Sequence, residues 1–275
     1  MAGQLFVVAT PIGNLEDITQ RALRVLAEVD AVAAEDTRHS RKLFEHYGIS
    51  TPMVSYHDHS ERAVSVRLVA RLLEGDSIAL ICDAGTPGIA DPGYRLVGAA
   101  IEAGIEVVPV PGPSAFTACL SVGGLPTDRF VFEGFIPSRS AARRAFFARF
   151  ADEPRTVVCF EASRRLVDSL RDLEGTLGVR RVVIGREISK MYETFVRGTA
   201  GAVATELAET PLRGEVTLLI AGADAPRRAE AADVRSRIDA MRLEGMGMKE
   251  IAKSLVATTG WSAREIYHLG VSKGE

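Results

Sequence analysis

The sequence has only three cysteines and one tryptophan in 275 residues. Cys82, Cys119 and Cys159 are widely separated and stand among apolar neighbours, which is typical of core residues and not of a disulfide framework or a zinc site. No apolar run approaches the roughly 20 residues that cross a bilayer. The first residues also lack the basic segment followed by an apolar stretch that marks a secretion signal. We therefore expect a cytoplasmic protein without a membrane segment.

Two familiar nucleotide motifs are also missing. The first predicted strand is followed by TPIGNLED instead of G-x-G-x-x-G, and no glycine loop is followed by a Walker-type lysine. Their absence argues against an ordinary nucleotide-phosphate site. His57 and His59 flank Asp58, but alternate residues of a strand point to opposite faces and no other Cys or His is nearby in the sequence. We expect a polar loop there and no metal.

There is no excess of basic charge, since 33 Lys and Arg against 36 Asp and Glu give a net charge of -3. The chain as a whole is therefore unlike a strongly basic nucleic-acid-binding domain. Three local groups of basic residues stand out, and each of them taken alone is typical of a solvated helix face. They are Arg38, Arg41 and Lys42; Arg139, Arg143, Arg144 and Arg149; and Arg164 with Arg165.

With 47% hydrophobic residues, the chain is long enough for one large or two medium cores. Predicted strands and helices alternate over residues 1–111, which favours a mostly parallel α/β sheet. Pro111-Gly112-Pro113 can continue neither kind of element, so we place a domain boundary there. Residues 112–225 predict a second α/β domain whose sheet is mixed, with a hairpin formed by strands 180–187 and 193–198. Residues 226–275 predict a helical extension.

The segment 77–93, SIALICDAGTPGIADPG, is the most informative part of the chain. Its apolar run predicts a buried strand, and Asp83 follows the strand at the edge where α/β sheets bind ligands. Gly85 and Gly88 leave the backbone open to a ligand. We expect Asp91 to cap the next helix and Pro92 to be its first residue. The alternative is a tight connection whose glycines serve only turn geometry.

Polar or Gly-Pro clusters follow four other predicted strands, at 10–14, 35–38, 112–115 and 160–163. Parallel strands bring such ends to one edge of a sheet, so we expect these clusters to form a shared cleft. A ligand there would meet the backbone of Gly85, Thr86 and Ile89. Ser114, at a helix start, would offer hydroxyl and amide donors.

A set of motifs found in order along residues 4–222 resembles one family, the ribosomal RNA small subunit methyltransferase I family of the tetrapyrrole methylase superfamily. The combination is far more specific than any one motif. The resemblance implies two α/β domains, S-adenosylmethionine in the cleft between them, and a homodimer that methylates the ribose 2'-hydroxyl of a cytidine in the decoding region of small-subunit RNA. The motifs are TPIGNLEDIT, AAEDTRHSRKL, DAGTPGIADPGYRLV, VPGPSA, GLPTDRFVFEGFIP, REISKMYETFVRGT and GEVTLLIAG.

The resemblance also implies site residues. For the methyl donor these are Pro11, Asp83, Gly85, Thr86, Ile89, Ser114, Ala115 and Glu161. The family usually has a histidine and an arginine after its aromatic-Glu-Ser motif, whereas this chain has Phe160-Glu161-Ala162-Ser163-Arg164. Any role that depends on the histidine is in doubt.

An alcohol is a poor nucleophile, so a carboxylate base would assist its methylation, and Glu35, Asp36 and Glu133 are candidates by motif context. The structural alternative for Glu35 and Asp36 is to cap the next helix and pair with Arg38. For phosphate contacts we expect Arg38, Arg41, Lys42, Arg143, Arg144, Arg164 and Lys190. Two other functions remain open: a tetrapyrrole methyltransferase, and an RNA-binding module without catalysis. The partner that the resemblance implies is small-subunit RNA, free or in the assembled 30S subunit.

Overall fold

The computed structural model describes residues 2–57, 61–210, 214–223 and 229–271. The chain forms two compact units. The larger comprises Met1–Ala151 and Arg155–Ala221 and contains two β-sheets, and the smaller comprises Asp152–Pro154 and Gly222–Glu275. The division of the chain at residues 111 and 225 stays a prediction.

The first sheet has five parallel strands in the order β3-β2-β4-β1-β5, which confirms the predicted parallel arrangement. All four residues of β2 and of β4 are buried, as expected for central strands covered on both faces. The strands are β1 (Gln4–Val8), β2 (Ala31–Ala34), β3 (Met53–Ser55), β4 (Ile78–Ile81) and β5 (Glu106–Val110).

Four helices cover this sheet, two on each face. They are α1 (Gln20–Glu28), α2 (Thr37–Tyr47), α3 (Glu61–Glu74) and α4 (Tyr94–Glu102), and a 3-10 turn at Leu15–Asp17 precedes α1. Helices α1 and α2 pack on the face that carries Val32 and Ala79, while α3 and α4 pack on the face that carries Ala33 and Leu80. The strand period of two therefore assigns neighbouring residues to opposite cores.

The second sheet is mixed, as predicted, with the order β6-β7-β10-β8-β9. Its strands are β6 (Phe130–Phe135), β7 (Thr156–Ala162), β8 (Arg181–Arg186), β9 (Thr194–Thr199) and β10 (Glu215–Ile220). β6 and β7 are parallel, β8 and β9 form the predicted antiparallel hairpin, and β10 runs antiparallel to both β7 and β8. The start of β10 therefore lies beside the ends of β7 and β8.

Three helices cover one face of this sheet, and a single helix packs on the other. The three are α6 (Ser140–Ala148), α7 (Leu166–Leu177) and α8 (Ala200–Glu209), and a 3-10 turn at Ser163–Arg165 leads into α7. The single helix is α5 (Ala115–Gly123), which packs together with Ile12 and Ile188. Ile12 follows β1 of the first sheet, so the apolar core around α5 joins the two sheets.

The smaller unit contains α9 (Ala231–Leu243), α10 (Met248–Thr259) and α11 (Ala263–Val271), packed around an apolar core of their own. A capping box stands at the start of α11. The Ser262 N–H donates to Glu265 Oε2 at 2.8 Å, and the Glu265 N–H donates to Ser262 Oγ at 3.2 Å.

Helix α4 begins at Tyr94, so the prediction that Asp91 and Pro92 start it was wrong. The Gly88 N–H donates to the Pro92 carbonyl at 3.2 Å, which keeps these residues in a turn. Gly93 is the N-cap residue, and its φ of 150° lies in a region that favours glycine. All three cysteines are buried free thiols, as predicted. Over the described residues, no helix is both long and apolar enough to span a membrane.

Candidate active site

A cleft of about 430 Å³ lies where strand ends of the two sheets meet. From the first sheet it is lined by Glu35, after β2, and by the loop that follows β4. Residues 114–116 at the start of α5 form a further part of the wall. The second sheet contributes the ends of β6, β7 and β8 and the start of β10. The predicted convergence of strand-end clusters is thus present, and it follows the rule that open α/β sheets bind ligands at this edge.

The loop after β4 is joined to the loop after β1. Thr10 and Gly85 exchange two backbone hydrogen bonds, of 2.8 Å from the Thr10 N–H and 3.0 Å from the Gly85 N–H. The buried Thr10 hydroxyl also donates to the Cys82 carbonyl at 3.0 Å. Gly85 has a φ of 84°, a conformation that side chains rarely tolerate. These bonds position Ile12 and Gly85 together on the cleft.

Two carboxylates tie the end of β2 to the end of β4. The Asp83 N–H donates to Glu35 Oε2 at 3.3 Å, and the Asp36 N–H donates to Asp83 Oδ1 at 3.1 Å. Glu35 and Asp83 both line the cleft, whereas Asp36 does not. Through these two hydrogen bonds Asp83 holds the loop after β4 against the end of β2. Glu35 is the acidic side chain that the end of β2 contributes to the cleft lining.

Asp36 is instead the N-cap residue of α2. Its Oδ1 accepts the Arg38 N–H at 2.8 Å, and its Oδ2 pairs with the Arg38 guanidinium at 3.1 Å. Hydrogen bonding from Arg38 lowers the pKa of Asp36 to about 2. A carboxylate of such low basicity that is also outside the cleft is a poor general base. The structure therefore favours the capping interpretation for Asp36 over a catalytic one.

The loop between β4 and α4, the cleft loop, is held at its far end by a buried polar network. Glu61 Oε1 accepts the Gly93 N–H at 3.2 Å and the Tyr56 hydroxyl at 3.0 Å, and Glu61 Oε2 pairs with the Arg95 Nε at 3.0 Å. The Tyr56 oxygen in turn accepts the Leu96 N–H at 3.2 Å. Burial raises the pKa of Tyr56 to about 12. Residues of other elements thus cap α4, which has no capping side chain of its own.

Replacing Glu61 with alanine is expected to lower the free energy of unfolding by about 1–3 kcal/mol, because the Gly93 N–H and the Tyr56 hydroxyl lose a buried acceptor. Urea denaturation measures the change. The exposed Glu74 at the end of the same helix provides the control, and E74A should change stability by no more than about 0.5 kcal/mol. Equal effects of the two substitutions would contradict the capping role of Glu61.

The second sheet forms the opposite wall of the cleft with the face that packs on α5. Phe160, Gly185 and Thr217 line the cleft from this face. A Cβ at Gly185 would lie 2.8 Å from Cys119 Sγ, so only glycine allows α5 to pack this closely. Ser114 is the N-cap residue of α5 but makes no side-chain capping bond. The first N–H groups of an α-helix have no partner within the helix, so this end of α5 offers donors to a ligand.

Glu161 lines the cleft, but its carboxylate is engaged within the fold. Glu161 Oε1 accepts the Arg165 Nε–H at 2.8 Å and the Ala162 N–H at 2.7 Å, while Oε2 accepts the Ser169 hydroxyl. The carboxylate thus ties β7 to α7. Direct contact between this carboxylate and the methyl donor stays a prediction, and the structure shows a supporting role.

The turn between β8 and β9 reaches across to the loop after β1. Lys190 packs its alkyl chain on Gly13, where a Cβ would lie 2.2 Å from Lys190 Cγ. Its Nζ bonds Glu187 and Glu215, both at 3.0 Å. Burial alone would lower the pKa of Lys190, but these two hydrogen bonds outweigh it and raise the pKa above its usual value. Lys190 is committed to this contact, which weakens its predicted role in binding RNA.

Five of the seven cations predicted to contact RNA are exposed, and one is buried. The exposed side chains are Arg38, Arg41, Lys42, Arg144 and Arg164. Arg143 is only 5% exposed, and its NH2 group bonds Asp172 at 2.6 Å. The prediction that Arg143 contacts RNA was therefore wrong. Arg143, Phe146 and Phe147 lie on one face of α6 because of the helical period, and that face packs against the second sheet.

Of the eight residues predicted to bind the donor, all but Pro11 line the cleft. Sequence reasoning missed Phe135, Gly185, Ile188 and the start of β10. A strand that begins at the cleft rather than ending there is recognisable only when its direction is known. Asp58 and His59 of the His57-Asp58-His59 segment are outside the described residues. Within the described ranges, no three His, Cys, Asp or Glu side chains are close enough to hold a metal.

The family described as Tetrapyrrole (Corrin/Porphyrin) Methylases matches residues 4–204. Solved structures agree on the fold: the methyltransferase CobJ aligns with a TM-score of 0.61 at 16% identity over 83% of this chain and 98% of its own. Uroporphyrin-III C-methyl transferase from Thermus thermophilus, complexed with S-adenyl homocysteine, aligns with a TM-score of 0.55 at 20% identity, covering 80% and 97% of the two chains. The chain therefore belongs to the tetrapyrrole methylase class and has its fold.

Curated relatives define its place within the class. A protein named Ribosomal RNA small subunit methyltransferase I from Pseudomonas aeruginosa is 46% identical over 99% of this chain and 98% of its own length. A protein of the same name from Escherichia coli O157:H7 is 44% identical over 96% and 93%. The chain belongs to the ribosomal RNA small subunit methyltransferase I family, and it is a methyltransferase.

Proposed function

We propose that the chain transfers a methyl group from S-adenosylmethionine to the ribose 2'-hydroxyl of a cytidine in the decoding region of small-subunit ribosomal RNA. The observation that carries the proposal is the near full-length similarity to relatives whose name specifies small-subunit ribosomal RNA. The cleft supports it, because one pocket collects seven of the eight residues expected at the donor site.

The residues of the cleft fit the donor. Its volume of about 430 Å³ is within the range of small-ligand pockets. Ile12, Ile89 and Ile188 provide an apolar lining for the adenosine. The N–H groups at the start of α5, which have no partner within the helix, and the hydroxyls of Thr86 and Ser114 suit the polar amino-acid part.

The chemistry is a displacement at carbon. S-adenosylmethionine supplies an activated methyl group, whose bond to sulfur breaks as its bond to the ribose oxygen forms. The protein must hold the hydroxyl in line, about 3 Å from the methyl carbon. Glu35 is the residue that would take the hydroxyl proton, because its carboxylate lines the cleft and Asp83 fixes it through a backbone hydrogen bond.

The exposed cations provide the RNA surface. Arg38, Arg41 and Lys42 on α2, with Arg144 and Arg164 of the second sheet's helices and turns, would contact phosphates. A target nucleotide in folded RNA would have to be splayed out for its ribose to reach the cleft. The substrate is free RNA or the 30S subunit, and we expect the protein to act as a homodimer in the cytoplasm.

The proposal is tested in two steps. Calorimetry should show binding of S-adenosylmethionine, and a protein that does not bind it would not be a methyltransferase using this donor. Tritium from labelled donor should then enter unmodified small subunits and map to a cytidine 2'-oxygen. Subunits that already carry the modification are the control. Label in a base atom would contradict the ribose assignment, and transfer to a porphyrinoid instead of RNA would favour a tetrapyrrole methyltransferase.

A further inference from the structure

We infer that the ring of Phe135 is the platform on which the base of the target nucleotide stacks, an inference that rests on the proposed function. Phe135 lines the cleft and is 59% exposed. Single exposed apolar side chains are common on protein surfaces. One that lines a ligand cleft, however, marks a contact for the ligand. Its position, its support and the basic residues that follow the same edge of the sheet together point to a nucleotide.

The position of Phe135 is set by an irregularity in β6. Phe132 pairs with Val158, but Phe135 pairs with Phe160, so three steps along β6 match two along β7. The extra residue lies at Gly134, whose φ is 66°. Strict alternation would turn residue 135 away from the face that carries Phe132. The bulge returns it to that face, which is the one that lines the cleft.

The Phe135 ring is supported by other aromatic rings. Its centroid is 5.4 Å from that of Phe160, and the Phe160 centroid is 5.2 Å from that of Phe132. Phe132 in turn packs on Phe116 of α5, with centroids 5.1 Å apart. The chain of rings runs from the core to the cleft mouth, so the exposed ring is held firmly. A held aromatic ring suits base stacking because little side-chain freedom is lost on binding.

Two basic residues follow the edge of the sheet at which the ring lies. β6 and β7 are neighbouring parallel strands, so the segments that follow them leave the same edge of the sheet. Arg139 follows β6 and Arg164 follows β7, and both side chains are exposed. Neither forms an ion pair with any residue that the structure describes. The two exposed guanidinium groups lie in segments that leave the edge of the sheet at which Phe135 ends β6, and they would contact the phosphates of an RNA strand whose base reaches the ring.

The same charges argue against the methyl donor as the partner of this ring. S-adenosylmethionine has no phosphate, and its carboxylate is matched by the N–H groups at the start of α5. A nucleotide of RNA carries a base for the ring and phosphates for the arginines. The ring is therefore assigned to the RNA side of the cleft, opposite the donor contacts predicted at Gly85 and Ser114.

The test compares F135L with F135Y and with the control F130L. Phe130 lies on the same strand and is 40% exposed, but it is not part of the cleft lining. With unmodified small subunits as substrate, kcat/KM should fall roughly tenfold or more in F135L, the size expected for one lost base stack. F135Y keeps a ring and should retain most of the activity, and F130L should match the wild type. Calorimetry should give F135L the wild-type Kd for S-adenosylhomocysteine.

Three results would overturn the inference. If F135L weakens S-adenosylhomocysteine binding by the same factor as it lowers kcat/KM, the ring serves the donor. If F135L keeps the wild-type kcat/KM, the ring serves neither ligand. If F130L or F135Y loses as much as F135L, the effect belongs to the strand and not to stacking at this position. The proposed function is decided separately by whether the wild type transfers a methyl group to the ribose of small-subunit RNA.

Discussion

Replacing Arg143 with alanine should lower the free energy of unfolding by about 3–5 kcal/mol, the usual cost of removing one partner of a buried ion pair. Arg143 Nε and NH2 contact Asp172 Oδ2 at 2.7 and 2.6 Å, and the side chains are 6% and 14% exposed. Among the residues that the structure describes, the alanine variant leaves the Asp172 carboxylate with Ser140 as its one side-chain donor. Chemical denaturation measures the loss.

Arg144 is the matched control, because it is the next residue on the same helix and is exposed. R144A should leave stability within about 0.5 kcal/mol of the wild type. Its effect should appear in RNA binding, where the slope of log K against log salt should decrease by about one. If R144A destabilises the protein as much as R143A does, the assignment of one arginine to the fold and the other to the surface is wrong.

The pH dependence provides a second check on R143A. Burial, the largest influence, would raise the pKa of Asp172, but hydrogen bonds from Ser140 and Arg143 outweigh it and hold that pKa below its ordinary value. A carboxyl group with a lowered pKa stabilises the fold above its unfolded pKa of about 3.9 and loses that contribution as the pH falls through the folded value. The stability difference between wild type and R143A should therefore shrink below about pH 4. A constant difference down to acid pH would contradict the charge-based explanation.

Replacing Glu35 with glutamine should reduce the rate of methyl transfer by about 100- to 10,000-fold, the range for loss of a general base. Glutamine retains a side-chain oxygen that can accept the Asp83 N–H, so the loop should stay in place. Single-turnover transfer of labelled methyl to small subunits measures the rate. Calorimetry should show that E35Q binds S-adenosylmethionine as the wild type does.

D36N is the control for E35Q. Asp36 is the neighbouring acid, lies outside the cleft and caps α2, and asparagine caps helices about as well as aspartate. D36N should therefore transfer methyl groups at a rate within a few-fold of the wild type. If D36N loses the activity and E35Q keeps it, the roles assigned to the two carboxylates are reversed. If neither variant is slowed, positioning alone accounts for the reaction at this end of the cleft.

Much of the framework could be predicted from the sequence because it depends on local pattern. The apolar run at Ile78–Ile81 indicated a strand buried on both faces, and the polar residues after successive strands indicated a shared cleft. These predictions need only the period of a strand and the rule that parallel strands end at one edge. The direction of β10 is not encoded in this way, since pairing between distant segments decides it. The position of residues 214–217 in the cleft lining could therefore not be predicted from the sequence.

Other details depended on tertiary contacts that no local pattern shows. Asp91 and Pro92 have the sequence of a helix start, yet Glu61 and Tyr56 cap α4 at Gly93 instead. Arg143 lies in a basic stretch, and only the packing of α6 shows that this arginine faces inward. The bulge at Gly134 likewise depends on how β6 pairs with β7. In each case a partner far along the chain overrides the local preference.

The cleft loop is fastened at three points: at Asp83 by the residues after β2, at Gly85 by Thr10, and at Gly93 by Glu61. Its backbone therefore loses its conformational entropy when the chain folds and not when a ligand arrives. When a methyl donor binds, little of this loop remains to be ordered. The entropy cost of binding is therefore smaller than in a glycine-rich loop that lacks these hydrogen bonds. The stability of the first sheet and the affinity of the cleft for the donor are thus thermodynamically linked. Removing any of the three sets of hydrogen bonds should lower both.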